Sequence, residues 1–457
     1  MGKTVKPRLA KGTRDFSPAD MKLRNHIFGV IRGHFEAFGF EQIETPAVEN
    51  LETLTGKYGE EGDRLIFKIL NSGDYLSKAD GHLLKSRDSQ ALIPQICEKA
   101  LRYDLTVPFA RYVVQHQNEI NFPFRRFQIQ TVWRADRPQK GRYREFYQCD
   151  ADVIGSKSLI VETEFIDLIH RVFSDLGIDI DIKVNSRKIL MGFCQSLGIE
   201  GDFVSFTTIL DKLDKKDWAD LKVEFTQAGF SEKVIAGIES LKSINGLPFN
   251  RENIERLEEE LPLSPVGKEG LNDLMEITGF LETAPASITK LDLSLARGLN
   301  YYTGTIIEVV ARNEEMGSLC GGGRYDDLTG IFGLDDMSGM GISFGIDRIF
   351  DILSSKEIKS EESYVHVVFV NFGPSEAKYC MEALDVLRSE GIPSEIYPEA
   401  DKLKKQFRYA DQKGASHVVT AGESEMKAGL FGLKDMRTGE QKNLNMEDLI
   451  IQMKKKG

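Results

Sequence analysis

The amino-acid sequence predicts an α+β protein with a strand-rich core, an all-helical insertion and a separate C-terminal α/β unit. Three observations lead to this prediction. Apolar residues alternate with period two over 122–155, the stretch 190–285 is charged and helical in pattern, and strands alternate with helices beyond residue 364. The predicted segments are therefore 1–189, 190–285, 286–355 and 364–457, the middle two being the insertion and the second part of the core.

The first element is a predicted helix that begins near residue 17. Ser17 and Pro18 are typical of an N-cap and a first helical position, and Gly39 ends the apolar pattern as a C-terminal cap would. The extended segment FEQIETPAV follows. FRRFQIQTVWR and REFYQCDADVI then predict two strands joined by a polar loop.

Beyond this hairpin the sequence predicts a helix over 156–173 and a strand at IDIDIKVNS. After the insertion, strand and glycine character resumes, and GMGISFGIDRIFDIL predicts a strand leading into a helix. A polar linker covers 354–363. The alternating strands and helices beyond it indicate a parallel sheet of βαβ units.

Composition excludes several classes of function. The chain has 457 residues, 41% hydrophobic and 28% charged, which is ordinary for a soluble protein. Its five scattered cysteines and seven histidines include no C-x-x-C or H-x-x-x-H pair, so neither a disulfide framework nor a transition-metal site is expected. No signal peptide or membrane span is recognisable, which predicts a cytoplasmic protein without a membrane partner.

Positive charge is concentrated in one stretch of this acidic chain. RADRPQKGRYREFYQ, residues 134–148, contains five basic and two acidic residues, although the net charge of the whole chain is −12. That net charge disfavours indiscriminate nucleic-acid binding but permits a local basic site.

The strand period places polar side chains of the hairpin on one face of the sheet. These are Gln130, Arg134, Phe146, Gln148 and Asp152. On pattern alone, exposure of this face to water is the simpler interpretation. The loop composition favours a binding site instead, because Arg137, Lys140 and Arg142 would lie beside Arg134. Guanidinium groups match phosphate oxygens, and an adjacent phenyl ring offers a surface for a base.

Three further stretches are unusual. RGLNYYTG (297–304) places an arginine before two tyrosines at a strand entry, GGGRYDD (321–327) would let backbone approach a ligand, and Arg348 in FGIDR lies off the apolar stripe of its helix. Each also has an ordinary explanation: tyrosines packing on the core, a tight turn and a solvated arginine. The glycine run is not a Walker A loop, since no G-K-[ST] follows.

Taken together, the order of these stretches resembles the histidyl-tRNA synthetases, a family of class II aminoacyl-tRNA synthetases, across essentially the whole chain. GFEQIETP resembles class II motif 1, the hairpin resembles motif 2, and GISFGIDR resembles motif 3. LARGLNYYTG and GGGRYDDL resemble the two histidine-specific signatures and are the most discriminating elements. The resemblance implies the class II antiparallel sheet with flanking helices, the insertion, and a C-terminal α/β anticodon-binding domain.

The resemblance also implies the reaction and its residues. ATP and L-histidine would form histidyl-adenylate, with Mg²⁺ on the outer phosphates, and histidine would then pass to tRNA-His. Arg297 and Arg134 would be catalytic, and a homodimer formed through motif 1 is implied.

The resemblance also implies the binding residues. Those expected to bind ATP are Arg134, Asp136, Arg142, Glu145, Phe146 and Arg348. The histidine set is Asp104, Thr106, Gln148, Asp152, Tyr301, Tyr302 and Tyr325. Gln139 would contact the acceptor end of the tRNA. In the C-terminal domain, the residues expected to contact the tRNA are Lys402, Lys404, Lys405, Arg408 and Tyr409. The alternative for these C-terminal residues is a helix face exposed to solvent.

The sequence departs from the family pattern at a few positions. Asn300 stands where Asp is usual, Asp347 where Glu is frequent, and Asp104 and Asp152 where many bacterial members have Glu; LRYDLTVPFARY resembles the eukaryotic-type branch. Two alternatives follow from the resemblance. One is a class II synthetase for another amino acid, such as proline or threonine, and the other is a non-catalytic regulatory paralogue that binds histidine.

Overall fold

The computed structural model describes residues 6–56, 59–199, 201, 203–213, 216–281, 287–296, 301–356 and 366–454. The chain divides into two compact units, Met1–Glu357 and Ile358–Gly457, and the division falls inside the predicted polar linker. Within the described ranges, no helix is long and apolar enough to cross a bilayer.

The first unit combines long central strands with helices on its flanks. Its strands are β1 (Glu41–Gln42), β2 (Val48–Asn50), β3 (Lys68–Ile69), β4 (Lys99–Leu101), β5 (Phe124–Trp133), β6 (Glu145–Ile154), β7 (Ile180–Ser186), β8 (Thr289–Leu291), β9 (Thr305–Ala311), β10 (Cys320–Tyr325) and β11 (Gly339–Gly345). Its helices are α1 (Pro18–Ala37), α2 (Leu51–Leu54), α3 (Gly59–Leu65), α4 (Gly81–Ser86), α5 (Ser89–Ile96), α6 (Thr106–Gln115), α7 (Ile160–Asp175), α8 (Arg187–Ser196), α9 (Phe203–Leu210), α10 (Trp218–Gln227), α11 (Glu232–Ile244), α12 (Arg251–Glu260), α13 (Pro265–Phe280) and α14 (Ile346–Ser355).

The main sheet has the strand order β1-β5-β6-β11-β10-β9-β7-β8. Its inner pairs are antiparallel, as predicted for the hairpin β5–β6, whereas the edge pairs β1–β5 and β7–β8 are parallel. The predicted α+β class is confirmed, with a sheet that is mixed at its edges. A second sheet of three strands has the order β2-β4-β3, and these strands lie between β1 and β5 in the sequence.

One face of the main sheet packs against helices. Cys149, Ala151 and Val153 of β6 join a core cluster that includes Ile27 of α1 and Phe165 of α7. The predicted N-cap of α1 is present, because the Ser17 hydroxyl accepts from the Asp20 amide while the Asp20 carboxylate accepts from the Ser17 amide. The core thus fixes which face of β6 remains for other contacts.

Helices dominate the region that was predicted as an insertion. Between β7 and β8, every named element of the described chain is a helix, from α8 to α13. Close packing of α8 on α13 depends on glycine, since a Cβ at Gly192 would lie 2.3 Å from the Gly267 backbone. This approach brings the two ends of the helical region back to the sheet.

The second unit is an α/β domain. Its elements are β12 (Val367–Phe369), α15 (Pro374–Ser389), β13 (Ser394–Ile396), α16 (Leu403–Gln412), β14 (His417–Thr420), α17 (Glu423–Ala428), β15 (Phe431–Asp435), β16 (Gln441–Leu444) and α18 (Met446–Lys454). The sheet order is β13-β12-β14-β15-β16. β13, β12 and β14 are parallel as predicted, whereas β15 and β16 add an antiparallel hairpin that was not predicted.

Candidate active site

A cavity of about 600 Å³ lies on the main sheet face opposite the helix-packed core. Its walls come from β6, β10 and β11, the hairpin loop and the start of α14. Most of the predicted site residues line it, namely Asp104, Thr106, Arg134, Asp136, Arg142, Phe146, Gln148, Asp152, Tyr301, Tyr302, Tyr325 and Arg348. These residues come from distant parts of the sequence, and the sheet brings them together.

Glycines keep the floor of this cavity open. Asp152 on β6 pairs with Gly341 on β11, which pairs in turn with Gly323 on β10. A Cβ at Gly341 would lie 2.0 Å from Asp152 Oδ1, and one at Gly323 would lie 2.9 Å from the Tyr302 ring. The glycine-rich stretch was predicted as a place of close approach, and here the approaching groups are the side chains of the site itself.

Asp152 is a buried carboxylate with one ion-pair partner and one hydrogen-bond donor. Its Oδ2 lies 2.6 Å from Arg126 Nη2, and its Oδ1 accepts a 2.9 Å hydrogen bond from the Tyr325 hydroxyl. Burial raises the pKa of Asp152, while Arg126 and the Tyr325 hydrogen bond act in the opposite direction. Arg126 was not predicted as part of the site, although the strand period places it on the same face as Gln128 and Gln130.

Aromatic side chains pack around this carboxylate. The Tyr301 ring meets the Tyr302 ring edge-on at 4.7 Å and lies 6.3 Å from the Tyr325 ring. Burial raises the pKa of both Tyr301 and Tyr302, so their hydroxyls stay protonated and can donate. Nearby, Asp104 accepts from the Val107 amide at the start of α6 and is almost fully buried. The result is a polar pocket with apolar walls, suited to a small ring that carries both a donor and an acceptor.

Basic side chains gather at the other end of the cavity. Arg134 Nε donates to the Tyr103 carbonyl, which leaves both Nη groups without a hydrogen-bond acceptor among the described residues. Arg348 donates to the carbonyls of Gly141 and Ser318, and thereby ties α14 to the hairpin loop. The Arg142 side chain is half exposed and lies 3.8 Å from Asp136. Three guanidinium groups on one cavity wall can bind a polyphosphate.

An ion-pair network connects α14, which carries Arg348 of this wall, to the N-terminal segment and α1. Asp347 lies 2.5 Å from Arg14 Nη2 and 2.8 Å from Arg24 Nη1, and it also accepts from the Tyr147 amide. Arg14 pairs with Asp351 as well, at 2.9 Å. The segment KGTRDF and the predicted motif 3 helix are thus held to the hairpin beside Arg348.

Some predicted residues lie elsewhere. Glu145 is exposed and accepts a hydrogen bond from Trp133 Nε1. Because side chains alternate along β6, Glu145 and the adjacent Phe146 lie on opposite faces, and the structure does not bring Glu145 to the cavity. Gln130 does not line the cavity either, since its amide is bonded to Arg102 and Thr45. Gln139 is exposed in the hairpin loop.

Two predicted positions, Arg297 and Asn300, lie outside the described residues. In the second unit, exposed cations Lys402, Lys404, Lys405 and Arg408 lie on or beside α16, and the Tyr409 hydroxyl donates to Glu395. Buried Gln406 of the same helix is bonded to Asn371. The helix therefore presents one basic face to solvent and anchors the other.

The cavity also contains carboxylates that sequence analysis did not assign. Asp150 of β6 lies on its floor, and Asp211, just after α9, shows that the helical region contributes to the wall. The strand period does place Asp150 on the same face as Gln148 and Asp152, but no role was predicted for it. Asp211 could not be found from the sequence, because no local pattern relates α9 to the sheet. In the described part of the chain, no three His, Cys, Asp or Glu side chains cluster closely enough to hold a metal ion.

Comparison with known proteins agrees with this geometry. Residues 97–349 match a family model described as histidyl-tRNA synthetase, and residues 365–456 match one described as an anticodon binding domain. The solved histidyl-tRNA synthetase of a Nostoc species superposes with a TM-score of 0.82 at 31% identity, covering 99% of this chain and 100% of that one. The structure titled ATP phosphoribosyltransferase regulatory subunit/histidyl-tRNA synthetase, from Bacillus halodurans, has a TM-score of 0.71 over 92% of this chain and 99% of that one; at 21% identity it shows a likeness of fold alone.

Curated relatives extend the similarity to nearly the full length. The histidine–tRNA ligase of Christiangramia forsetii is 54% identical over 450 residues, 97% of this chain and 98% of the relative. The histidine–tRNA ligase of Phocaeicola vulgatus is 50% identical over 456 residues, which cover 98% of this chain and 99% of that relative. Both are bacterial, so the eukaryotic-type wording of LRYDLTVPFARY does not indicate a eukaryotic source. Because the family model spans more than half of the chain and these relatives match almost all of it, the chain belongs to the histidyl-tRNA synthetase family.

Proposed function

We propose that the protein uses ATP to ligate L-histidine to tRNA-His through a histidyl-adenylate intermediate. The observation that carries the proposal is a single cavity that joins a pocket for a small polar ring to a wall of arginines suited to a polyphosphate. The high identity to enzymes named histidine–tRNA ligase supports the same conclusion.

Histidine would be recognised by pairing both nitrogens of its neutral imidazole. One ring nitrogen would donate to Asp152, whose oxygens have lone pairs beyond those used by Arg126 and Tyr325. The Tyr302 hydroxyl would donate to the other. An amino acid that lacks these groups would leave buried polar atoms unpaired, which is a strong basis for rejection. Asp104, Thr106 and Gln148 would contact the α-ammonium group, and Tyr301 and Tyr325 would shape the pocket.

The activation step would depend on positioning and charge. The histidine carboxylate would attack the α-phosphorus of ATP, an O–P bond would form, and the bond to the β-phosphate oxygen would break to release pyrophosphate. Arg134 would contact the α-phosphate and the carboxylate, while Arg142 and Arg348 would hold the outer phosphates and Phe146 would stack on adenine. Fixed guanidinium groups stabilise charge as it develops without reorganising. From its sequence signature, Arg297 is proposed as a second electrophilic residue.

Mg²⁺ would enter with the nucleotide as part of the substrate. Asp136 is the carboxylate in the cavity wall beside the phosphate-binding arginines, and Mg²⁺ is usually held by few carboxylates together with substrate phosphates and water. The donor set fits this mode, in which the ion would neutralise charge on the outer phosphates.

In the second step the 3′-hydroxyl of the terminal ribose would attack the adenylate carbonyl and release AMP. Gln139 is exposed at the hairpin tip, where it would meet the acceptor end. The basic face of α16, with Lys402, Lys405 and Arg408, would contact the anticodon region, consistent with the family model matched there. A homodimer formed through the GFEQIETP segment is proposed from the class II pattern.

ATP–pyrophosphate exchange with each of the twenty amino acids, without tRNA, tests this function. Exchange with histidine alone is expected, because Asp152 and the Tyr302 hydroxyl would pair both imidazole nitrogens. Exchange with another amino acid would show that the pocket was misinterpreted. Histidine binding without any exchange would identify a regulatory paralogue, an alternative that the fold does not distinguish.

The substitution Gly341→Ala tests the histidine pocket. A Cβ 2.0 Å from Asp152 Oδ1 would displace that carboxylate, so we expect the KM for histidine to rise by roughly 10-fold or more while the KM for ATP changes little. Gly29→Ala is the matched control, because nothing lies within 4 Å of a Cβ there. Equal changes in both KM values would instead indicate general damage to the sheet.

A further inference from the structure

The loop between β5 and β6 carries Arg142, one of the three arginines proposed to contact the phosphates of ATP. The Arg142 side chain is half exposed, and its ion pair with Asp136 is long, at 3.8 Å. Gln139 and Arg142 exchange two backbone hydrogen bonds, which form a turn at the tip of the loop. This turn fixes the shape of the tip but not its place beside the cavity. The position of Arg142 therefore depends on contacts made by the residues that flank it.

Two of these flanking residues are attached to other parts of the chain through their backbones. The Gly141 carbonyl accepts from Arg348 Nε at 3.0 Å, and the Arg144 amide donates to the Gly12 carbonyl at 2.8 Å. Gly12 has a φ of +85°, and a Cβ there would lie 2.8 Å from the Arg144 side chain, so this close approach requires glycine. The N-terminal segment, residues 12–14, is thus in direct contact with the loop.

Arg14 of this segment joins the loop to α14. Its Nη1 donates to the Tyr143 hydroxyl and to Asp351 Oδ1, both at 2.9 Å, and its guanidinium carbon lies 3.8 Å from the centre of the Tyr143 ring. Its Nη2 lies 2.5 Å from Asp347. The Tyr143 hydroxyl donates in turn to Asp351 Oδ2. Burial and this hydrogen bond raise the pKa of Tyr143, which keeps the hydroxyl protonated. One guanidinium therefore holds the loop against the helix that carries Arg348.

We propose that Arg14 is a positioning residue for ATP, which sets the loop so that Arg142 and Arg348 contact the same outer phosphates. Tyr143 and Asp347 line the cavity but Arg14 does not, so it acts through its neighbours and not on the substrate. A shift of about 1 Å in a binding group, caused from a distance, is enough to lower a rate by about 100-fold. The inference rests on the proposed function, because it assumes that these arginines bind a nucleotide.

Two nucleotides separate the outer phosphates from the rest of the site. α,β-Methylene-ATP has all three phosphates and is not cleaved between the first two, whereas AMP lacks the β- and γ-phosphates. In the full-length protein with Mg²⁺ and without histidine, Arg14→Ala is expected to weaken the ATP analogue by roughly 10-fold, measured by titration calorimetry. AMP should change by less than about 3-fold, since the displaced Arg142 contacts only the outer phosphates. A purely structural role for Arg14 would weaken both nucleotides equally.

A double-mutant cycle tests whether Arg14 acts through Arg142. Arg142→Ala by itself should weaken the analogue by roughly 10-fold or more, because a charged hydrogen bond is lost. In that background, Arg14→Ala should cost less than about 2-fold more, since the group whose position it sets is already gone. Arg14→Lys keeps the charge but cannot reach Tyr143, Asp347 and Asp351 at once, so it should recover only part of the affinity.

Further variants and outcomes keep the result decisive. Tyr143→Phe removes only the hydroxyl between Arg14 and Asp351, and it should give the same pattern with a smaller loss. Arg8→Ala, at an exposed position of the same N-terminal region, should leave both affinities unchanged, and thermal unfolding shows that each variant is folded. Equal losses for both nucleotides, or losses that simply add in the double variant, would overturn the role of Arg14. Absence of histidine-dependent exchange in the unaltered protein would overturn the proposed function instead, and the two failures are distinguishable because nucleotide binding is measured without histidine.

Discussion

Replacing Arg134 by alanine is expected to lower the rate of histidine-dependent ATP–pyrophosphate exchange by roughly 10²- to 10³-fold. The Arg134 guanidinium is fixed by the Tyr103 carbonyl and lies 4.3 Å above the Tyr103 ring, so its orientation is set before substrate arrives. Its Nη groups remain available for the α-phosphate and the attacking carboxylate. Loss of such a pre-oriented donor removes stabilisation that matters mainly in the transition state.

The matched control for Arg134→Ala is Arg137→Ala. Arg137 belongs to the same basic loop but is exposed and does not line the cavity, so exchange should stay within about 3-fold. Arg134→Lys should fall between the two, since a point charge replaces one hydrogen bond of a bidentate fork. The rate of histidine-dependent ATP–pyrophosphate exchange, measured with all variants at equal folded concentration, tests this prediction. An Arg134→Ala enzyme within tenfold of the unaltered protein would contradict the proposed role.

Arg126→Met is expected to cause the largest loss of folding stability, about 3 kcal/mol at pH 8. Arg126 is fully buried, pairs with Asp152 at 2.6 Å and places its guanidinium 4.0 Å from the centre of the Phe109 ring. Without it, the Asp152 carboxylate would be a buried charge with only the Tyr325 hydroxyl as donor. The free energy of unfolding, measured with denaturant, checks the prediction.

The pH dependence of this loss distinguishes charge from packing. Removing Arg126 would raise the pKa of Asp152 further above its unfolded value, so the folded state would bind a proton over a wider pH range than the unfolded state. Stability then falls as pH rises through that window, and the deficit should be greater at pH 8 than at pH 6. Adding Asp152→Asn should recover much of it. A deficit that is independent of pH and unchanged in the double variant would show that packing on Phe109 dominates.

Periodicity in the sequence was sufficient for the hairpin and for its polar face. The alternation over 122–155 predicted β5 and β6, and the apolar set of β6 is in the core as expected. The same rule, applied strictly, would also have removed Glu145 from the ATP-binding residues. It places Asp150, which lines the cavity, on the same face as Arg126, which contacts Asp152 but does not itself line the cavity. The unpredicted hairpin β15–β16 is short and half exposed, so its pattern was too weak to detect.

The amino-acid sequence was sufficient to predict the strand-rich core, the helical region, the separate C-terminal domain and, through its ordered signatures, the family. Which polar groups meet depends instead on the tertiary structure. Arg126 and Tyr325 both bind Asp152, and Arg348 reaches Gly141 and Ser318, across separations that no local pattern encodes. The physical reason is that periodicity fixes the direction of a side chain within its own element, whereas strand order and register determine its neighbours.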